Sequence, residues 1–329
     1  MAWRWVKGLQ QSALPPGSSA RLALRMDGFD WRMSKEFSTV ALLGRFEDPR
    51  VAEPMGALAT HLANSGVSVI TSPGAPLEPP VETVDESELA LRADLIIAIG
   101  GDGTMLYAAA LAREQAVPLL GINRGRLGFL ADVTPDEMLH SLDQVLAGEY
   151  LRESRLLLAA SIVARDGSAR SAVALNDVVL QRRETGRMVD FETRIAGRYV
   201  NTHSGDGLIV STPTGSTAYA LSCGGPIIDP GLDAVVVVPV CPHTLSDRPI
   251  VIPARHAIEV RLLPSSAARA EVTVDGRMLG DLNPEDRLVI GESDCRITLI
   301  HPPGYDYFEI LRSKLHWGRD SRVRGGPRD

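Results

Sequence analysis

Short apolar runs alternate with helical patterns along the first half of the chain. The runs at 39–43, 67–70, 95–99 and 118–122 are typical of buried strands, and apolar residues recur with helical spacing at 51–64, 105–113 and 134–147. Thr134, Pro135 and Glu137 form a helix-start pattern before the last helix. Strands that alternate with helices predict a Rossmann-like parallel α/β domain over residues 36–150.

The pattern changes near residue 151. Short apolar or alternating segments follow with few helical stretches between them, at 156–164, 172–181, 190–195, 207–211, 234–238, 250–252, 257–263, 271–275, 287–290 and 295–300. They predict a β-sandwich-like domain over residues 151–317, ending in a helical segment at 308–317. Residues 1–35 are predicted to be a disordered extension or the product of a start codon upstream of Met33, and residues 318–329 a disordered tail.

Composition narrows the class of protein. The chain has 329 residues, a formal net charge of −7, 44% hydrophobic and 23% charged residues, which is typical of a soluble globular protein and argues against a nucleic-acid partner. No apolar run reaches the roughly 18 residues of a membrane span. The three cysteines have no zinc-ligand spacing and suit a reducing compartment. Composition therefore predicts a cytoplasmic enzyme that binds no membrane.

A glycine cluster directly after the 95–99 run predicts a phosphate site. The cluster consists of Gly100, Gly101, Asp102, Gly103 and Thr104. Glycines allow backbone N–H groups to approach phosphate oxygens. Asp102 could accept a proton from an attacking hydroxyl, hold a divalent metal, or only cap the following helix. The cluster is not a Walker loop, and Leu106 stands where a dinucleotide fingerprint needs a third glycine.

The hydroxyl-rich segment 212–219 follows a second apolar run. Its hydroxyl side chains belong to Thr212, Thr214, Ser216 and Thr217, at a predicted helix start. Hydroxyls and free amides together predict an anion site there, although any one of these residues alone could be an N-cap.

Polar residues also stand in or beside two other runs of the second half. Asn176 and Asp177 have apolar residues on both sides, which favours a continuous strand over a turn and places the two side chains on opposite faces. Asp206 precedes Gly207 at the start of a predicted strand, where a turn and a functional role are equally compatible with the sequence.

Together these motifs resemble those of the bacterial NAD kinases, the ATP- or polyphosphate-dependent family. Segment 100–104 is similar to the family's Gly-Gly-Asp-Gly-Thr motif, and 212–219 is similar to its longest signature. Further similarities lie at Asn123-Arg124-Gly125, Leu127-Gly128-Phe129-Leu130, Asn176-Asp177, Asp206-Gly207, Leu221-Ser222, Gly224-Gly225-Pro226, 242–246 and Arg248-Pro249. The resemblance extends from about residue 36 to Trp317.

The resemblance implies phosphorylation of the adenosine ribose 2′-hydroxyl of NAD, with ATP or polyphosphate as donor. It implies that Asp102 accepts the proton and that the protein is a homo-oligomer. The NAD-binding residues that it implies are Asp102, Gly103, Asn176, Asp177, Arg187, Asp206, Thr217, Ala218, Tyr219, Ala220, Leu221, Ser222 and Arg277. Phosphate or ATP contacts are predicted for Gly100, Gly101, Gly103, Thr104, Thr214, Gly215 and Ser216.

A divalent cation is the predicted cofactor. No lysine lies in the 100–104 loop to neutralise the donor phosphates, so Mg²⁺ is expected to bridge them without a site built from protein ligands alone. Two other functions share parts of the pattern. A diacylglycerol-type lipid kinase would share segment 100–104, and a non-catalytic dinucleotide sensor would not need Asp102.

Overall fold

The computed structural model describes residues 37–75, 77, 81–125, 128–183, 187–264 and 269–317. The two predicted disordered termini lie outside the described residues. In the first part of the chain the elements follow in the order β1 Thr39–Gly44, α1 Pro49–Asn64, β2 Ser68–Thr71, β3 Glu82–Thr83, α2 Glu86–Arg92, β4 Leu95–Ile99, α3 Asp102–Ala112, β5 Leu119–Ile122 and α4 Met138–Leu146. The predicted alternation of strands and helices is confirmed.

The second part consists almost entirely of strands. They are β6 Leu151–Val163, β7 Ala169–Ala174, β8 Asp177–Arg182, β9 Val189–Ile195, β10 Arg198–Gly205, β11 Gly207–Ser211, β12 Ala234–Val240, β13 Ile250–Pro253, β14 Ile258–Leu262, β15 Ala270–Val274, β16 Arg277–Leu282 and β17 Arg287–His301. A 3-10 turn at Thr214–Thr217 and the one-turn helix α5 Tyr219–Ser222 follow β11, and helix α6 Tyr307–Leu315 ends the described chain. The predicted β-rich region and its helical end are confirmed.

The parallel strands β1 to β5 have the order β3-β2-β1-β4-β5. This is the Rossmann arrangement, in which the direction of winding reverses between β1 and β4. Ligands bind such sheets at that reversal, in the crevice beyond the carboxyl ends of the strands. Gly44 ends β1 and Gly100 follows β4, so the predicted phosphate loop lies at this crevice.

The two parts of the chain share one sheet. β17 pairs in parallel with β5, so that the parallel sheet continues through β17, β14, β9 and β10 into an eleven-stranded sheet. A second, six-stranded antiparallel sheet has the order β13-β12-β11-β8-β15-β16. Apolar side chains of both sheets, among them Phe191, Leu208 and Val272, form one buried core between them. Removing this apolar area from water stabilises the packed pair of sheets.

Three sequence predictions about local structure are wrong. Segments 287–290 and 295–300 are not separate strands but parts of the single strand β17. Helix α4 begins at Met138, four residues after Thr134, because the Thr134 hydroxyl donates to the Glu137 carboxylate (2.8 Å) and caps no helix. Segment 172–181 is not one strand: it bends at 175–176, and the chain passes there from the eleven-stranded sheet to the six-stranded one. Asn176 therefore lies in a bend between β7 and β8.

Among the described residues, no helix is both long and apolar enough to cross a membrane.

Candidate functional site

Asp102 is the first residue of α3 and lies at the crevice beyond β4. Gly101 is the N-cap, with an extended backbone and no capping side chain. The Asp102 carboxylate accepts hydrogen bonds from the backbone N–H groups of Leu130 (3.0 Å) and Phe129 (3.3 Å). Only glycine fits at position 128, since a Cβ there would overlap the Asp102 carboxylate. The alternative that Asp102 merely caps its own helix is therefore wrong, because its carboxylate bonds to the 128–132 loop.

A second acidic residue and two arginines lie at the same crevice. Asp48, the N-cap of α1, pairs with Arg124, which follows β5, at 2.9 Å. Hydrogen bonds from Arg50 first, and then from Arg124, lower the pKa of Asp48 to about 2. A Cβ on Gly101 would stand 3.9 Å from the Arg124 guanidinium, and no atom lies within 4 Å of the equivalent position on Gly103. The 100–104 loop therefore has open space on one side and a cation beside it, as a phosphate group requires.

The backbone of the 175–177 bend is held by two residues that directly follow other strands, Asp275 after β15 and Thr212 after β11. The Asp275 carboxylate accepts from the N–H groups of Leu175 (2.8 Å), Asn176 (2.8 Å) and Asp177 (3.1 Å). On the opposite side, the Thr212 hydroxyl donates to Leu175 O (2.5 Å) and the Thr212 N–H donates to Asn176 O (2.9 Å). Because every one of these bonds joins distant parts of the chain, the position of Asn176 is fixed by tertiary structure.

Asp177 is a buried carboxyl group next to another one. Burial first, and then the charge of Asp275, raise the pKa of Asp177 to about 6. Burial also raises the pKa of Asp275, although its three backbone hydrogen bonds favour the ionised form. Perturbed carboxyl groups of this kind cluster at functional sites, where they can bond to hydroxyl groups of a ligand.

Three hydroxyls of the 212–219 segment, those of Thr212, Ser216 and Thr217, donate to backbone carbonyl groups. The Ser216 hydroxyl is fully buried, donates to Pro213 O (2.6 Å) and accepts from Ile228 N–H (2.9 Å). The Thr217 hydroxyl donates to Thr214 O (3.2 Å). Gly215 packs against the Asn176 backbone so closely that an added Cβ would lie 2.6 Å from Asn176 Cα. The Thr212 and Ser216 hydroxyls thus hold the backbone together, and the anion site in this segment stays a prediction.

The remaining predicted residues follow this turn or lie on nearby strands. Ala220 is buried, Thr217, Ala218 and Leu221 are partly buried, and Tyr219 and Ser222 are exposed. Arg277 lies over the ring of Tyr107 on α3, with 5.7 Å from its Cζ to the ring centroid, and so brings β16 next to the helix of Asp102. Leu175 packs in the same core as Met105 of α3 and Leu130. These contacts place Asp102, Asn176, Asp177 and Arg277 in one region.

Two predicted residues are less closely connected. Asp206 pairs with Arg182 (2.6 Å), and Arg187 is exposed at the start of the segment before β9. Both stay predictions.

Three site features escaped the sequence analysis. They are the Asp275 carboxylate, the Arg124–Asp48 pair, and the amides of Phe129 and Leu130. Asp275 has a left-handed backbone (φ 47°) before Gly276, so an Asp-Gly turn signal was present in the sequence. The other two depend on contacts between segments far apart in sequence.

Comparison with known proteins identifies relatives over most of the chain. A family model described as the ATP-NAD kinase N-terminal domain matches residues 50–150, and one described as the ATP-NAD kinase C-terminal domain matches residues 175–302. The NAD kinase of Aromatoleum aromaticum is 42% identical over 298 residues, covering 89% of this chain and 99% of the relative. The NAD kinase of Nitrosococcus oceani is 44% identical over 290 residues, covering 87% and 99%.

Two solved structures share the fold. The crystal structure of yeast NADH kinase complexed with NADH has a TM-score of 0.81 and 26% identity, covering 88% of this chain and 90% of that one. An NAD kinase from Archaeoglobus fulgidus in complex with ATP has a TM-score of 0.66 and 26% identity, covering 84% and 98%.

Proposed function

This chain belongs to the NAD kinase family and is an NAD kinase, and we propose that it phosphorylates the 2′-hydroxyl of the adenosine ribose with Asp102 as proton acceptor. The observation that carries this proposal is the position of Asp102, which lies at the crevice with its carboxylate oriented by the Phe129 and Leu130 amides. A lipid acceptor is not favoured, because the relatives are NAD kinases and a solved neighbour binds NADH.

In the proposed reaction the 2′-oxygen attacks the terminal phosphorus of the donor. The new O–P bond forms as the bond from that phosphorus to the bridging oxygen breaks, and the hydroxyl proton passes to Asp102. Such a transfer requires mainly positioning and neutralisation of charge. The free N–H groups at the start of α3 and the Arg124 guanidinium supply positive charge on the phosphate side.

We propose that Asn176 and Asp177 contact the dinucleotide from the β-rich part of the chain. Their support is the arrangement of the bend, which Asp275 and Thr212 hold rigidly beside the core of α3. Rigid placement of binding groups lowers the ordering cost of binding. Arg277, Arg187, Asp206 and the segment 217–222 are proposed as further contacts on the strength of the family resemblance.

A divalent cation fits this site only as a companion of the donor phosphates. Among the described residues, no three His, Cys, Asp or Glu side chains are grouped to hold a metal ion. Mg²⁺ is commonly bound by one or two carboxylates together with substrate phosphates. We propose that the donor phosphates would hold such an ion, with Asp102 as a carboxylate that could assist, and that the ion would neutralise phosphate charge.

We also propose that the enzyme is a cytoplasmic homo-oligomer that forms NADP. The three cysteines are free thiols, which suits a reducing compartment. Tyr199, Val200, Ile250 and Val251 are exposed on the edge strands β10 and β13, where a second copy could cover them. Sedimentation velocity of the purified protein tests the oligomeric state.

Substitution of Asp102 tests the proposed chemistry. We expect Asp102→Asn to lower kcat by about 10²–10⁴ while NAD still binds, because the proposed proton acceptor is removed and Asn176 and Asp177 are unchanged. The measurements are NADP formation and isothermal titration with NAD. Asp85→Asn is a matched control, because Asp85 also stands at the start of a helix and its side chain makes no capping hydrogen bond. Unchanged turnover in Asp102→Asn would exclude the proton-acceptor role.

The same NADP assay settles the donor. ATP and polyphosphate are compared at equal phosphoryl concentration. We expect turnover with ATP, and the comparison shows whether polyphosphate also serves as donor. The Archaeoglobus relative binds ATP, which supports this expectation.

A further inference from the structure

A row of four linked charged side chains connects the two halves of the proposed site. Its members alternate in sign and are Asp132, His301, Glu153 and Arg155. His301, Glu153 and Arg155 are each at most 4% exposed. Buried charges are costly unless they are paired, so this arrangement requires each member to keep its partner.

One end of this row of charged residues, Asp132, is connected to Asp102 through the 128–132 loop. Asp132 ends the 128–132 loop, whose Phe129 and Leu130 amides bond to the Asp102 carboxylate. Asp132 Oδ2 pairs with His301 Nδ1 at 2.8 Å. Asp132 Oδ1 is buried and has no hydrogen-bond partner among the described residues. Among the described residues, the bond to His301 is therefore the hydrogen bond that holds the Asp132 side chain.

His301 is itself held from three sides. Its Nε2 faces Glu153 Oε2 at 3.0 Å, and its ring stacks on Tyr305 with 3.7 Å between centroids. Burial alone would lower the pKa of His301, but the charges and hydrogen bonds of Asp132 and Glu153 outweigh burial and raise it. With a proton on each ring nitrogen, the imidazolium donates to both carboxylates at once.

The other end of this row of charged residues, Arg155, contacts the 212–219 segment. Glu153 Oε2 accepts from Arg155 Nε at 2.9 Å, and Arg155 Nη1 donates to the Thr214 hydroxyl at 3.2 Å. None of these four charged residues was predicted from the sequence. His301 lies 148 positions from Glu153 and 169 from Asp132, so only the fold brings it to these two carboxylates.

We propose that His301 is a positioning residue for phosphoryl transfer, which acts through Asp132 and the 128–132 loop to orient the Asp102 carboxylate. This inference rests on the proposed role of Asp102. His301 touches no reacting atom in this scheme. Its loss should therefore weaken turnover and leave NAD binding nearly unchanged.

The test compares His301→Gln with wild type by steady-state kinetics and NAD titration. Glutamine can donate to only one of the two carboxylates, so the loop should lose its fixed position. We expect kcat to fall about 10–100-fold, since small misplacements of catalytic groups have effects of this size, while the Kd for NAD changes less than about threefold. His61→Gln is the matched control. It also removes a histidine–carboxylate pair, in which His61 Nε2 lies 2.6 Å from Asp143 Oδ1. This pair joins α1 to α4 and does not involve the 128–132 loop.

A double-mutant cycle separates positioning from general destabilisation. If His301 acts through Asp102, adding His301→Gln to Asp102→Asn should cause no further loss of turnover beyond about threefold, because coupled residues are not additive. Fully additive losses would overturn the proposal. If kcat fell in Asp102→Asn but not in His301→Gln, the positioning role would be refuted and the proposed function would remain.

Asp132→Asn provides a second test, should His301→Gln fail to fold. It removes the charge next to His301 and preserves the shape of the side chain. A folded Asp132→Asn protein is expected to show the same loss in kcat with unchanged NAD binding. Wild-type kcat in that variant would equally overturn the proposal.

Discussion

Replacing Asp177 with asparagine should stabilise the protein at neutral and alkaline pH. The pKa of this carboxyl rises from its ordinary value of 3.8 to about 6, through burial and then through the charge of Asp275. At about 1.4 kcal/mol per pKa unit, the ionised form costs the folded protein about 3 kcal/mol. Asparagine has a similar shape and carries no charge, so Asp177→Asn should recover most of this free energy.

The pH dependence follows from the sign of the perturbation. Because the folded-state pKa is raised, the folded protein retains a proton that the unfolded chain has lost between about pH 4 and pH 6. The contribution of Asp177 to stability therefore falls as pH rises through this window. The advantage of Asp177→Asn should be about 3 kcal/mol at pH 8, about half of that at pH 5, and absent below about pH 4.

Urea denaturation of both proteins at pH 8 and pH 5 measures this difference. Asp166→Asn is a suitable control, because hydrogen bonds from Ser168 lower the pKa of Asp166 and its replacement should not stabilise the fold. We expect NAD affinity to fall in Asp177→Asn, since the carboxylate proposed to contact the dinucleotide is lost. A variant no more stable than wild type at pH 8, or equally more stable at both pH values, would refute the reasoning.

Two further predictions concern the packing around the bend. Gly215→Ala should lower the free energy of unfolding, measured by urea titration, by about 1–3 kcal/mol and weaken NAD binding, because the new Cβ would overlap the Asn176 backbone. The control is Gly56→Ala, which has open space around the new Cβ and should not destabilise the protein. Ser216→Ala should lower stability by about 1–3 kcal/mol, since Ile228 N–H loses its buried acceptor. If Ser216 instead bound phosphate, the KM for ATP would rise with stability unchanged.

The buried strands of the fold were predictable from local sequence alone. β4 and β11 were predicted to the residue, because a run of consecutive buried apolar side chains is visible without knowledge of its neighbours. β3 and β10 were not predicted. β3 is two exposed residues long, and β10 is an edge strand whose side chains are largely exposed and polar. Strands of this kind depend on pairing with a neighbour and carry little hydrophobic signal.

The site was predictable only in its motif residues. Segment 100–104 and the pair Asn176-Asp177 attract notice because glycine and carboxylate residues interrupt apolar runs. Asp275 could not be assigned its role, because it contacts residues about 100 positions earlier in the chain. The same holds for Asp132 and His301, which the fold alone brings together.

The bend at 175–177 explains why stability and function oppose each other at this site. A chain that leaves one sheet for another must satisfy its backbone groups elsewhere. Here Asp275 accepts the N–H groups, and Thr212 donates to the carbonyls. The apolar flanks of Asn176 and Asp177 predicted one continuous strand, which is wrong, because the break depends on side chains that the local sequence does not contain. Holding the bend with a buried carboxylate raises the cost of ionising Asp177 beside it. The carboxyl that weakens the fold is thus one of the groups proposed to bind the dinucleotide.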